Sequence, residues 1–496
     1  MKPPPWPRLA WWSLGVGTLV LLAWNQAAPV FADPDAFYHM TMAQLLAEQG
    51  IIRDFVWLPY TTLAQHYIDQ HWLFHLLLLP FVIGPFPFIG TKIFTILLGT
   101  AMVLTFAWLL KSLHLRWWWL VTAVLVLTNA FTFRLNLVKA TPLALILLCL
   151  GIWCLHKRWF GWLVAVSAVY VWTYGGFAML GIVTVVWVIS DLRHIVSLLR
   201  PLAAVVFGFT IGLVLNPYFP NNLYFYWDQL VQIGIINYQD TIGVGSEWYP
   251  YAPAGLVMDA LLLCMLAVSG VVSLIVQRKR WLQLDWFALG IWLVGLILTL
   301  KSRRYVEYFG PFTALAAAIW LNSLPPITAW WRKLSYRPWS HALGAMGLVM
   351  CIVMAVIPVV LNDVRNNAID VRAGTPWNKY RAASQWLQQH APPGSKILHS
   401  DWDDFPSLFY YNRSQHYMAG LDPTFMYRAD QDRYWLWVRL TTGKYRGDVD
   451  AALTTLAVAY VVIEQDHGAM FDLIEPAKRT QLVYSDDTVD IFRVKQ

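Results

Sequence analysis

Two carboxylates and an imidazole, Asp33, Asp35 and His39, follow directly on the first long apolar run of the chain. If a helix begins after Pro34, Asp35 and His39 stand four apart on one face, and Asp33 or Asp35 can also serve as its cap. Charges beside an apolar segment are costly unless they are used, and a carboxylate next to a hydroxyl or amide can act as a general base. The same stretch continues with Glu48, Asp54, His66, Asp69, His71 and His75. His71 and His75 at an i, i+4 spacing are candidate metal ligands, or ordinary pocket imidazoles. A second polar stretch, from Pro217 to Tyr251, carries Asp228, Asp240 and Glu247 among many aromatic and amide side chains. Aromatic faces stack on sugar rings while carboxylates and amides accept hydroxyl protons; the alternative is an interfacial aromatic belt.

The elements that must position these groups are membrane spans. Of 496 residues, 58% are hydrophobic and 13% charged, a composition outside the ordinary soluble class. Apolar runs long enough to cross a hydrocarbon core of roughly 30 Å recur as far as Leu361. The segment from Asn362 to Gln496 is of soluble composition. Expected spans lie near 9–28, 92–110, 117–133, 140–155, 159–173, 176–190, 200–216, 253–276, 282–300, 305–325 and 341–361, about eleven crossings, with the first retained as a span because it lacks a cleavage site. This assignment gathers the basic loops Lys111 to Arg116, His156 to Arg158, Arg193 to Arg200, Arg278 to Arg280 and Arg332 to Arg337 on the cytoplasmic side. It treats His71 to Phe88 as a helix on the outer surface. Loops 29–91 and 217–252 and the C-terminal tail then share the opposite, periplasmic side of a bacterial inner membrane. The expected domains are a transmembrane part, residues 1–361, and a C-terminal extracytoplasmic α/β domain, residues 362–496.

One group of cations defies the positive-inside trend. Lys92, Arg134, Lys139, Lys301, Arg303 and Arg304 fall at the outer boundary of the expected spans, where they can pair with a lipid phosphate or pyrophosphate or snorkel to headgroups. The four cysteines all lie within apolar runs and suggest neither a disulfide framework nor a zinc knuckle. In the tail, a helix is expected over Asn378 to His390, strands at Lys396 to His399, His416 to Met418, Tyr460 to Glu464, Leu482 to Tyr484 and Ile491 to Val494, and a helix after Asp404. Asp422 reads as an Asx-turn residue. No glycine-rich nucleotide loop is present in the sequence, and nothing points to a nucleic-acid partner.

The carboxylate motif after the first span, the long first outer loop, the many spans and the C-terminal domain together resemble the GT-C superfamily of glycosyltransferases that use lipid-linked sugars. Asp35-Ala36-Phe37-Tyr38-His39 is similar to the Asp-Pro-Trp-Tyr-His type of motif of archaeal oligosaccharyltransferase catalytic subunits, which makes Asp35 the expected catalytic carboxylate. Val244-Gly245-Ser246-Glu247 is similar to that family's short motif ending in Glu, so Glu247 becomes an acceptor or metal candidate. Arg134-Leu135-Asn136-Leu137-Val138-Lys139-Ala140-Thr141-Pro142 departs from the oligosaccharyltransferases, which have acids there. It resembles instead the Arg-containing loop of bacterial GT-C transferases that use monosaccharide phosphopolyprenols. Asp401-Trp402-Asp403-Asp404-Phe405 is similar to the start of the oligosaccharyltransferase soluble domain, without its second Trp and its Gly; read from the residues, it is equally a turn capping the next helix.

The resemblance implies transfer of a sugar from a polyprenyl-phosphate or pyrophosphate carrier to an acceptor, whether protein, lipid or glycan, on the outer face. Asp35 would be the base, Asp33 and His39 its support, and Arg303, Arg304, Arg134 and Lys139 the donor-phosphate ligands. A divalent cation, Mg or Mn, would take Asp35 and Glu247. The competing readings are a non-enzymatic transporter or flippase, which would place ionisable groups in mid-span and show repeats, and an inactive subunit of the same fold.

Overall fold

The computed structural model describes residues 6–191, 195–277, 281–322 and 339–495. The expected basic loops at Arg278 to Arg280 and Arg332 to Arg337 lie outside the described residues, as does Arg193. Among the described residues, two helices are long and apolar enough to cross a membrane, Pro87–Ser112 and Gln283–Lys301. Two bent pairs would raise that number to four. Shorter apolar helices include Thr141–Lys157 and Phe160–Val171.

The chain divides into two compact units, each drawn from three separate segments. The first holds Met1–Ala28, Ile93–Gly212 and Glu247–Ala373. At its centre is the helix Val306–Leu321, buried on every side, as expected of a helix apolar all round. Ala314, Ala316, Ala317 and Ala318 keep it slim enough for its neighbours to approach closely. The expected single span at 117–133 is two helices, Trp118–Leu127 and Asn129–Asn136, bent by 74° where Thr128 is extended. The break frees carbonyls that hydroxyls then satisfy, Thr132 bonding to the Val126 carbonyl and Thr128 to that of Val124. The span expected at 253–276 is likewise broken, by 96°.

The second unit holds Pro29–Lys92, Leu213–Ser246 and Gly374–Gln496. A two-stranded ladder pairs β1 (Val30–Phe31) antiparallel with β2 (Thr375–Pro376). The main sheet is mixed and five-stranded: β3 (Lys396–His399), β4 (His416–Tyr417), β5 (Tyr460–Glu464), β6 (Thr480–Ser485) and β7 (Val489–Val494), in the order β4-β3-β5-β7-β6. β3 runs parallel to β4 and β5, and β7 antiparallel to β5 and β6. An apolar central strand such as β5 needs cover on both faces, whereas the edge strand β6 stays largely unburied. Helices Arg381–His390, Phe405–Tyr411, Gln431–Thr441 and Gly468–Ile474 belong to the same unit. The early segment is woven in: Trp57 O accepts from Tyr417 N at 2.8 Å, Phe425 O from Thr62 N at 3.1 Å, and Leu456 O from the Tyr60 hydroxyl at 2.6 Å. Ile242, from the second polar stretch, lies in the same apolar core as Leu398, Met418 and Phe492.

Candidate functional site

In the first unit the break at Thr128 turns the chain so that Arg134 points into the protein, where it is buried. Its guanidinium forks between two carboxylates. Nη1 donates to Glu247 Oε2 at 2.8 Å, and Nη2 donates to Glu307 Oε2 at 2.9 Å. Arg304, on a 3-10 turn between Gln283–Lys301 and Val306–Leu321, donates from Nη1 to Glu247 Oε1 at 2.8 Å and from Nη2 to the Tyr174 hydroxyl at 3.0 Å. That hydroxyl in turn donates to Glu307 Oε1 at 3.2 Å, and Thr141 Oγ1 donates to Glu307 Oε2 at 3.3 Å. Both terminal nitrogens of Arg134 and both oxygens of each glutamate are engaged in this closed ring, and pairing of that kind is what allows charge to be kept away from water.

Glu247 owes its position to its backbone. Ser302 Oγ donates to the Glu247 carbonyl at 2.9 Å, and Arg303 N donates to the Tyr249 carbonyl at 2.9 Å, strapping residues 247–249 to the corner that carries Arg304. Burial by itself would raise the Glu247 carboxyl, but the charges of Arg304, Lys139 and Arg134 outweigh it and hold the group well below the usual carboxylate range. The two adjacent arginines part company here. Arg304 enters the ring and also stacks on Trp248, 4.8 Å from its centroid. Arg303 is exposed, with Nε directed at the Pro250 carbonyl and its guanidinium over Tyr251.

In the second unit, helix Asp35–Gln49 starts where the spacing predicted. Asp33 Oδ1 accepts from Asp35 N at 2.7 Å, so Asp33 shapes the turn into the helix while Asp35 occupies its first turn. One turn on, His39 Nδ1 lies 2.8 Å from His75 Nε2, and His75 Nδ1 lies 2.6 Å from Asp69 Oδ2. With Asp69 ionised, His75 donates to it from Nδ1 and accepts from His39 through Nε2, which fixes both tautomers. Asp69 Oδ1 also accepts from His71 N at 2.9 Å, and the His71 ring sits edge-on to His39 at 5.2 Å. The polar residues of the first loop therefore form a buried Asp69–His75–His39 chain.

The candidate metal ligands can be tested on their donors. Each oxygen of Glu247 holds a guanidinium, and Lys139 adds a third positive charge nearby. That surrounding suits a carboxylate and repels a dication, so Glu247 as arranged does not fit a divalent ion. Both ring nitrogens of His75 are engaged in hydrogen bonds. Among the described residues, three ligand atoms come within 4.8 Å of one another only at Glu464, Asp466 and His467.

Near the end of β3 the acidic motif is a capping box. Asp401 accepts from Trp402 N at 2.6 Å, and Asp404 Oδ2 accepts from Asp401 N at 2.9 Å. Tyr380 donates to Asp404 Oδ1, and Lys379 Nζ pairs with Glu464 at 2.7 Å. Burial pushes Asp404 up to about 7, against the pull of Tyr380 and Lys379. Burial, and then the Asp401 charge, push Asp403 up to about 6, with Asp33 contributing in the same direction. Asp422 caps the helix Pro423–Ala429 through Thr424 N.

This architecture is the GT-C fold. No family model matches the sequence, and no curated protein does. Among solved structures, the oligosaccharyltransferase AglB of Archaeoglobus fulgidus, in complex with an inhibitory peptide and a dolichol-phosphate, is similar at 13% identity over 93% of this chain and 70% of its own, with a TM-score of 0.69. ArnT of Cupriavidus metallidurans, bound to undecaprenyl phosphate, is similar at 14% identity over 99% of this chain and 98% of its own, with a TM-score of 0.53. The arabinofuranosyltransferase AftD from Mycobacteria is 13% identical, with a TM-score of 0.57, and this chain spans 40% of its length.

Proposed function

We propose that the protein is a membrane glycosyltransferase that moves a sugar from a polyprenyl-phosphate-linked donor to an acceptor hydroxyl or amide on the outer face of the membrane. The observation that carries this reading is the pair of guanidiniums, Arg134 and Arg304, each aiming Nη1 at one shared anion inside a fold whose solved representatives include complexes with dolichol-phosphate and undecaprenyl phosphate. Paired, preorganised cations stabilise the charge that gathers on a departing phosphate. Lys139 adds to their field, and Arg303, facing outward, offers a first contact for an anionic headgroup.

Asp35 takes the acceptor proton as general base. Asp33 sets the turn that presents it, and His39, held by the Asp69–His75 chain, supports it from the next turn of the same helix. Asp35→Asn in purified protein should lower transfer by about a hundredfold to ten-thousandfold; retained activity would end the base assignment. Mass spectrometry of lipid-linked sugars from cells lacking the protein should show one carrier-linked sugar accumulating. An unchanged pool would count against a transferase.

A further inference from the structure

The two arms of each arginine in the ring do different work. Both Nη2 groups are anchored within the protein, Arg134 on Glu307 at 2.9 Å and Arg304 on the Tyr174 hydroxyl at 3.0 Å. Both Nη1 groups converge on Glu247, one on each oxygen, at 2.8 Å. The two carboxylates differ in the same way. Glu307 is 1% exposed and receives Thr141 and Tyr174 as well as Arg134. The Glu247 side chain is 25% exposed and takes the Nη1 pair, one on each oxygen. Withdrawing Glu247 would thus leave both guanidiniums held in place by their other arms, with two donors pointing at one vacated position.

A carboxylate and a phosphodiester share what such a position reads: one negative charge spread over two terminal oxygens, each able to accept a guanidinium N–H. We propose that Glu247 is a resident stand-in for the donor's phosphate, occupying the Arg134 and Arg304 Nη1 groups until a lipid-linked sugar carrying a single phosphodiester displaces it. The exchange is charge for charge. Arg134, Arg304, Lys139 and Glu307 together carry two net positive charges, which Glu247 brings to one, and a monoanionic phosphodiester in its place keeps that balance where a pyrophosphate would bring a second negative charge. The inference rests on the reading of Arg134 and Arg304 as the donor-phosphate site and narrows the donor to the one-phosphate class. It also gives Glu247 a gating role, since its carboxylate leaves the ring only when the donor arrives.

The test is equilibrium binding to the full-length protein in nanodiscs, with undecaprenyl phosphate, undecaprenyl pyrophosphate and inorganic phosphate as probes. Glu247→Gln and Glu247→Ala should each bind undecaprenyl phosphate about tenfold more tightly than the unsubstituted protein, since the internal competitor is gone, and Arg304→Ala should bind it about tenfold less tightly. Undecaprenyl phosphate should outcompete the pyrophosphate form in the unsubstituted protein. If neither Glu247 variant gains affinity while Arg304→Ala still loses it, the stand-in role is overturned and the donor site survives. If Arg304→Ala changes nothing, the donor site itself falls, and the stand-in with it. Preference for the pyrophosphate lipid overturns the one-phosphate class, and equal binding of inorganic phosphate overturns the lipid carrier.

Discussion

Glu307 ties together four elements of the first unit through Arg134, Thr141 and Tyr174, and its loss leaves a buried guanidinium half unpaired. Glu307→Ala should destabilise the protein by about 3–5 kcal/mol, measured by denaturant unfolding in detergent. A change below about 1 kcal/mol would mean that the ring is not structural. The carboxyls of the second unit predict a pH effect. Asp404, near 7, and Asp403, near 6, favour their neutral forms in the folded state. Their contribution to stability is therefore fully present below the ordinary carboxyl range near 4 and is lost as pH rises through about 6 to 7. Thermal unfolding should come at lower temperature at pH 8 than at pH 5, and Asp404→Asn should flatten that slope. An unchanged slope would remove Asp404 from the account. Individual residues were unequally legible. Asp35 and His39 announce themselves through a four-residue spacing after Pro34. Glu247, by contrast, meets partners 113 and 57 positions away, a convergence that no local pattern encodes. Tyr174 is one of 23 tyrosines and carries no signal at all until the fold brings Arg304 to it.

Helices meet closely where side chains are missing. A methyl group built on Gly208 would stand 2.5 Å from the Val164 carbonyl oxygen and 2.6 Å from Ser167 Cβ, and one on Gly212 would stand 2.7 Å from the Ala168 carbonyl oxygen. Helix Ile195–Val214 thus lies against Phe160–Val171 through a Gly-x-x-x-Gly face, with Trp172 Nε1 donating to the Gly212 carbonyl at 2.7 Å. Gly208→Val should cost about 1–3 kcal/mol through overpacking and lower the melting temperature; an unaltered melting curve would show that the helices can separate at no cost. The five strands of the main sheet are legible in the sequence to within two residues, because alternation and apolar runs are local properties, and β3 and β5 fall where expected; the two-residue β1 and β2 carry no such pattern. The breaks at Thr128 and Ala260 fall inside stretches that hydropathy alone reads as single spans. Hydropathy counts apolar residues and does not register a change of direction that Thr hydroxyls make affordable.

At the scale of the whole chain, polar stretches 29–92 and 213–246 belong with the C-terminal strands rather than standing apart as loops. A fragment of residues 374–496 expressed alone should lack a single cooperative transition, because Trp57, Tyr60 and Thr62 no longer meet Arg413, Leu456 and Phe425. Supplying residues 29–92 in trans should restore part of it; a fragment that melts sharply by itself would refute this dependence. The interweaving also sets a timetable. The Tyr60 hydroxyl bonds to a carbonyl 396 positions downstream, and ribosomes add about 5–20 residues per second. Phe55 and Trp57, both buried in the finished protein, must therefore wait roughly 20–80 s for their partners to be synthesised. During biogenesis this aromatic stretch is a nascent surface in need of a guardian, and a cell short of such holding factors should lose this protein first to proteolysis.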